Sequence, residues 1–316
     1  MDGKTLYIVV PCYNEEEVIG ETTKRLTVKL NKMIDAGQID RDSRIMYVND
    51  GSKDRTWEMI EELYASNEFV TGICLSRNRG HQNALFAGLM TAKEHADIVI
   101  SMDADLQDDI EVISEFVEQY KMGADIVYGV RCSRKKDTFF KRHTALAFYR
   151  FMEKMGVELV YNHADYRLMS RRALDALSEF KEVNLFLRGI VPMVGFKTAT
   201  VSYDRGQRFA GTSKYPLKKM MAFAIDGITS CSVKPIRMIT ALGFIIFLFS
   251  IAMLIWVVVG HFLGNTIEGW TTVIVLMCFF GGFQIMSIGI VGEYVGKIYL
   301  ETKERPRFII ENTLIK

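Results

Sequence analysis

The chain has 316 residues, 49 % of them hydrophobic, and its 39 lysines and arginines against 38 aspartates and glutamates leave a net charge of +1. That length holds one large α/β domain plus an appendage, and a balance this even leaves nucleic acid outside the expected partners. The five cysteines (Cys12, Cys74, Cys132, Cys231, Cys278) form no CxxC or Cys/His cluster, which argues against a disulfide framework and against structural zinc.

The opening MDGKTLYIVV carries an apolar run of five residues, suited to a strand and not to a secretory signal. From there to about residue 130, short β-branched runs alternate with helical stretches, the pattern of parallel strands joined by crossover helices. Strands are expected at 6 to 10 (LYIVV), 44 to 49 (RIMYVN), 70 to 75 (VTGICL), 97 to 102 (DIVISM) and 125 to 130 (DIVYGV), with helices near 16 to 35, 54 to 66, 81 to 95 and 110 to 122. Ligands of such a sheet bind beyond the carboxyl ends of its strands. Each expected strand runs there into polar residues: PCYNEEE, NDGSKDRT, SRNRGHQN, DADLQDD and RCSRKKD. Asp54, Asp108 and Asp109 read equally as helix caps, but five charged ends on one rim exceed what capping needs.

Four aspartates fall within seven positions, 103 to 109. Asp103 and Asp105, two residues apart on an extended segment, point the same way, and a hard cation would relieve their repulsion. Mg²⁺ or Mn²⁺ held by so few carboxylates shares its remaining positions with water and phosphate, so a diphosphate is the expected second ligand. Tyr13 and Asn14 can meet a base, Asp50 a base or ribose, and the backbone at Gly51 and Ser52 a phosphate. Arg131 and Arg134, after the fifth strand, are candidates for an acceptor phosphate. Neither GxGxxG after the first strand nor GxxxxGK[ST] occurs, which argues against a nicotinamide-dependent enzyme and a P-loop NTPase.

The ordered motifs PCYNEEE, VNDGSKDRT, SRNRGHQNAL, DADLQDD, ADYRLMSR (164 to 171) and RFAGTSKYP (208 to 216) resemble family 2 glycosyltransferases of GT-A fold, and more narrowly the polyprenyl-phosphate glycosyltransferases. The resemblance spans nearly the whole chain. It implies nucleoside binding by Pro11, Tyr13, Asn14, Glu15, Asp50, Gly51 and Ser52, a metal and diphosphate pair in Asp103 and Asp105, and Gln107 near the sugar. Phosphate contacts are implied for Arg208 and Lys214 on the nucleotide sugar and for Arg167 and Ser213 on the acceptor. Where the family reads GDFRL this chain has Ala164-Asp165-Tyr166-Arg167-Leu168, keeping the aspartate and losing the glycine. The implied reaction moves one sugar, with inversion, from UDP-glucose or UDP-N-acetylglucosamine, with GDP-mannose behind them, to polyprenyl phosphate. Asp165, Asp105 and Gln107 are its candidate catalytic residues, Asp165 as the base if one is needed.

Two charge-free runs of 23 residues, Met238 to Gly260 and Trp270 to Gly292, each match about 30 Å of hydrocarbon and read as membrane helices. Cations flank their outer ends (Lys234, Arg237; Lys297, Lys303, Arg305, Arg307) and are missing from the turn HFLGNTIEG, so both termini are expected in the cytosol, at the inner membrane. The expected domains are a catalytic unit at 1 to 215, an interfacial linker at 216 to 236, a transmembrane hairpin at 237 to 296 and a tail at 297 to 316. The cationic and aromatic segment 132 to 156 suits a helix at a bilayer surface. Gly281, Gly282, Gly289 and Gly292 offer close-packing positions for a homo-oligomer or for the hairpin itself, and the lipid product would pass to a flippase. A processive polysaccharide synthase is disfavoured by the missing QxxRW motif, and a non-enzymatic lipid-binding scaffold would have no use for the aspartate pair.

Overall fold

The structure, a computed structural model, describes residues 3–131, 155, 163–183, 185–204, 206, 228–229, 232–262 and 270–315. Its strands are β1 (Leu6–Cys12), β2 (Arg44–Asn49), β3 (Val70–Leu75), β4 (Ile98–Ser101), β5 (Ile126–Arg131), β6 (His163–Ser170), β7 (Thr198–Tyr203) and β8 (Ile310–Leu314). The helices are α1 (Ile19–Asp35), α2 (Thr56–Ser66), α3 (His81–Ala92), α4 (Ile113–Lys121), α5 (Arg171–Ser178), α6 (Leu187–Met193), α7 (Lys234–Phe262) and α8 (Trp270–Thr302). The first five strands lie where their apolar runs place them. The expected helix at 110 to 122 divides into a 3₁₀ turn, Ile110–Val112, and α4, because Asp109 caps the turn by accepting the Glu111 N–H at 2.9 Å.

All eight strands form one sheet in the order β7-β5-β6-β4-β1-β2-β3-β8. Its pairings β1/β2, β2/β3, β1/β4 and β5/β7 are parallel, and β6 enters antiparallel between β4 and β5. Every residue of β1 is buried, as a central strand covered on both faces requires. Alternate side chains feed two cores. Leu6, Ile8, Val10, Ile45 and Tyr47 meet α1, α2 and α4 on one face; Tyr7, Val9, Met46, Val48 and Ile73 meet α3, α5 and α6 on the other. Gly88 allows the second packing: a Cβ there would lie 2.4 Å from Val9 and 2.6 Å from Val48, so only glycine lets α3 settle this close to the sheet.

The segment expected as a tail contributes β8, antiparallel to β3, and the Ser76 N–H reaches the Ile309 carbonyl at 3.0 Å. The chain thus returns from its C-terminal helices to close the open edge of the sheet. Those helices are long, 29 residues in α7 and 33 in α8, and pack on each other. Phe244, Ile245, Phe249, Trp256, Phe279, Ile285 and Ile288 on them are exposed. Counted over the described residues, which omit side chains at several positions of both, no helix is long and apolar enough to cross a membrane. The segments 132 to 154 and 207 to 227, and with them Arg134, Arg208, Ser213 and Lys214, lie outside the described residues.

Candidate active site

The carboxyl ends of β1, β2 and β3 are joined by side chains that accept backbone N–H groups from one another's loops. Asn14, at a φ of 56°, takes the Lys53 N–H on its carbonyl at 2.8 Å and gives its own N–H to Ser52 Oγ at 3.0 Å. Glu15 N–H reaches Thr56 Oγ1 at 2.9 Å, Glu16 N–H reaches Asp54 at 3.3 Å, and Arg55 N–H returns to Glu16 at 3.0 Å. Asp54, weighed as a cap, accepts the Thr56 N–H and hydroxyl at 3.1 and 2.6 Å. Asp50 is only 3 % exposed, and its two oxygens accept the N–H groups of Arg79 at 2.6 Å and Gly80 at 2.9 Å. It therefore clamps the loop after β3. Gly51 makes that approach possible: at a φ of 63° it lies so near the loop that a Cβ would sit 2.6 Å from the Asn78 nitrogen. Pro11 is buried within β1, and Tyr13, 42 % exposed, is the open aromatic of this cradle.

Beyond β4 the character changes from backbone braces to facing charges. Because β6 runs opposite to β4, with Ser101 paired to Arg167, its early residue Asp165 comes to the rim where Asp103 leaves β4. His81, at the start of α3, stands between them, its Nε2 at 3.7 Å from each carboxylate. Asp165 also takes Arg188 Nε at 3.3 Å and Nη2 at 3.0 Å, and Arg167 Nη2 at 3.3 Å. Burial alone would raise the Asp165 pKa, but Arg188, His81 and Arg167 hold it well below the usual carboxylate range. Burial pushes Asp103 up to about 6; His81 opposes that rise, and Asp165, Asp108 and Asp105 add to it. His81 is drawn the other way: burial lowers it, and Asp165 and Asp103 more than restore it, so it is raised.

Two predicted phosphate ligands are engaged elsewhere. Arg167 has no exposed surface and lies beneath Asp165, its Nε and Nη1 without a hydrogen-bond partner among the described residues. Arg131 gives Nε to the Tyr203 hydroxyl at 3.3 Å and faces Asp108 at 3.5 Å. Tyr203 donates to the same buried Asp108. Asp105 accepts the Gln107 N–H at 3.2 Å, and the Gln107 carbonyl accepts Gly206 N–H at 2.9 Å. The loop carrying the acidic pair is further held from α1, where Thr22 donates to the Ala104 carbonyl at 2.9 Å and the buried Lys29 reaches Glu111 at 2.8 Å.

The donor set fits a divalent ion shared with a ligand. Asp103 and Asp105 repel each other and Asp108, and no group of three or more His, Cys, Asp or Glu among the described residues is placed to hold an ion unaided. His81 and Arg188 were not singled out from sequence. His81 carried a signal, following Gly80 in a motif at a strand end. Arg188 carried none, since it reaches the rim through α6 and the inserted β6.

The family model "Glycosyl transferase family 2" matches residues 7–178, a span that runs from β1 through α5. The uncharacterized glycosyltransferase YkoT of Bacillus subtilis (strain 168) is 56 % identical over 306 residues, 97 % of this chain and 91 % of that protein. The bactoprenol glucosyl transferase of Shigella phage SfV is 39 % identical over 309 residues, 96 % of this chain and 97 % of that one. The crystal structure of mannosyl-3-phosphoglycerate synthase from Rubrobacter xylanophilus superposes with a TM-score of 0.49 at 14 % identity over 71 % of each chain. The chain belongs to glycosyl transferase family 2.

Proposed function

We propose that the protein transfers one sugar from a nucleoside diphosphate sugar, UDP-glucose or UDP-N-acetylglucosamine first, to polyprenyl phosphate at the cytosolic face of a membrane. The observation that carries it is the convergence of Asp103, His81, Asp165 and Arg188 on the carboxyl rim, beside a cradle able to seat a nucleoside. Relatives named bactoprenol glucosyl transferase, matched over nearly the full chain, support the acceptor class.

Asp103 and Asp105 would hold Mg²⁺ or Mn²⁺. Such an ion supplies neutralisation of the charge growing on the departing diphosphate. A phosphate oxygen of the acceptor bonds to the anomeric carbon from the face opposite the leaving group; the carbon–oxygen bond to the diphosphate breaks with its electron pair, and the nucleoside diphosphate departs. A phosphate monoester has a second pKa of about 6, so at neutral pH the attacking group needs no proton removed. Asp165, held low by two guanidiniums, accepts protons weakly; its role in this reading is to fix Arg188 and His81.

The long apolar helices would bring this rim to the lipid. At 1.5 Å per residue α7 and α8 are each more than about 40 Å long, and each contains a charge-free run of 23 residues. As a hairpin through the bilayer, with cations only at its outer ends, they would keep the catalytic sheet in the cytosol. Incubating the purified protein with a panel of nucleotide sugars and polyprenyl phosphate, and weighing the lipid product, tests the reading. One added hexose or N-acetylhexosamine is expected. A growing polymer would favour a processive synthase, and no lipid product with any donor would sink the proposal.

A further inference from the structure

We propose that Arg188 is a contact for the phosphate of the acceptor lipid, held in place for that purpose by Asp165; this rests on the reading that the acceptor is a polyprenyl phosphate. The first ground is charge. The single carboxylate of Asp165 is faced by three cationic or protonatable side chains, Arg167, Arg188 and His81. Asp103 shares His81 at 3.7 Å, so the cations gathered on Asp165 itself are the two guanidiniums. Of the two guanidiniums only one can meet a ligand: Arg167 has no exposed side chain, whereas that of Arg188 is 34 % exposed.

The second ground is position. The segment that leads into α6 is tied to the end of the long apolar α8, where the Val183 N–H donates to Glu301 at 2.7 Å, and to the stretch just beyond it, where Arg307 donates to the Phe180 carbonyl. From Val183 to Arg188 the chain can span at most about 18 Å. Arg188 therefore lies within about 18 Å of a backbone group held by the end of α8, within reach of a headgroup delivered beside that helix. The donor side lies across His81, whose imidazole is 3.7 Å from both Asp103 and Asp165. A phosphate on Arg188 would thus be one side chain away from the carboxylates assigned to the donor's diphosphate, as attack on the anomeric carbon requires.

The third ground is rigidity. Leu187 N–H donates to the Gln82 side chain at 2.8 Å, which anchors the first turn of α6 on α3, and Asp165 engages both Nε and Nη2 of Arg188. A planar guanidinium fixed in this way along its Nε–Nη2 edge presents its other edge, Nη1 and Nη2, in one orientation, suited to phosphate oxygens.

The test uses the full chain in detergent, with wild type, Arg188→Gln and Arg188→Lys. Initial rates are measured against undecaprenyl phosphate at a saturating concentration of the donor that the screen identifies, and the affinity for UDP is measured by calorimetry. Arg188→Gln should raise the acceptor KM about tenfold or more, in line with loss of a charge-assisted hydrogen bond, while UDP affinity stays within about twofold of wild type. Arg188→Lys, which keeps a cation against Asp165, should fall between the two. If Arg188→Gln does not fold, Arg188→Lys alone decides, because an ammonium cannot reproduce the fork and its acceptor KM should still rise with UDP affinity unchanged. A fall in UDP affinity without a change in acceptor KM overturns the proposal and moves Arg188 to the donor, and an unchanged acceptor KM in the folded variants overturns it as well. Wild-type protein that uses no polyprenyl phosphate with any donor overturns both this proposal and the function on which it rests.

Discussion

The two halves of the rim spend their polar side chains differently. At the ends of β1, β2 and β3, Asn14, Asp50, Ser52, Asp54 and Thr56 bind neighbouring backbone, so the loops hold one another without a ligand. Past β4, Asp103, His81, Asp165 and Arg188 face side chains of opposite sign at 3.0 to 3.7 Å, and carboxylates crowd carboxylates. The first half is a preorganised cradle whose groups are occupied by the fold itself. In the proposed reaction the second is the half that would meet the ions arriving with the substrates. A polar residue at a strand end therefore has one of two jobs, and its partner decides which.

That contrast is broken most severely by removing charge from the second half. Asp105→Ala should lower transfer about a thousandfold or more with the melting temperature nearly unchanged, since Asp105 lies in a loop also held by Thr22 and Lys29. A variant that kept wild-type turnover would remove the acidic pair from the chemistry. Chelation should have a comparable effect, reversed by Mg²⁺ or Mn²⁺. The pH dependence of ion binding follows from Asp103, which burial and its acidic neighbours push up to about 6 in the ligand-free protein. As pH falls through that value the carboxyl gains a proton that the ion must displace, so affinity for Mn²⁺ should drop about tenfold per pH unit below 6 and level off above it. Titration of Mn²⁺ by electron paramagnetic resonance between pH 5 and 8 reads this directly; a flat profile would overturn a raised Asp103 carboxyl that competes with the ion for its proton.

The cradle should break differently, through stability first. Replacing Asp50 by alanine strands the N–H groups of Arg79 and Gly80, which it now holds at 2.6 and 2.9 Å. The expected cost is about 2 to 4 kcal/mol, visible as a lower melting temperature, and UDP affinity should fall because the loop between β3 and His81 loses its clamp. Equal stability with weaker UDP binding would instead make Asp50 a direct nucleoside contact, the role its place after a strand suggested from sequence.

How far sequence reaches is clear from the same residues. The central strands were legible because strands buried on both faces are continuous apolar runs, as in LYIVV and VTGICL. By contrast, β6 reads HADYRLMS, where Ala164, Tyr166 and Leu168 alternate with His163, Asp165 and Arg167 as in a strand with one wet face although Arg167 is buried, and α6 reads LRGIVPM, with a glycine and a proline inside it. The helix escapes a reading by periodicity, and with it goes Arg188. The edge strand β8, IENTL, is mostly exposed and gains its identity only from β3 beside it. The acidic pair was legible because its like charges are explained by no local structure. The difference between Asp50 as a clamp and Asp50 as a ligand was not, since a carboxylate after a strand looks the same until the loop that meets it is in place.

The mildest change tests where the two halves meet. Asp108 belongs to the acidic loop but behaves as a brace: only 4 % exposed, it accepts the Tyr203 hydroxyl and faces Arg131 at 3.5 Å. Burial raises its pKa, while Tyr203 and Arg131 oppose the rise by favouring the anion. Tyr203→Phe keeps the ring, which packs edge-on against Tyr166 at 5.4 Å, and deletes only the hydroxyl. The buried carboxylate then loses one of two stabilising partners, so its pKa must climb further and the loop carrying Asp103 and Asp105 must loosen. A loss of about 1 to 2 kcal/mol in stability is expected, with transfer reduced less than tenfold at neutral pH and more steeply as pH falls toward the raised Asp108 value. Because Arg131 also donates to that hydroxyl, at 3.3 Å, Arg131→Gln combined with Tyr203→Phe should cost less than the two single changes together. Strict additivity would mean that Tyr203 and Arg131 hold Asp108 independently of each other.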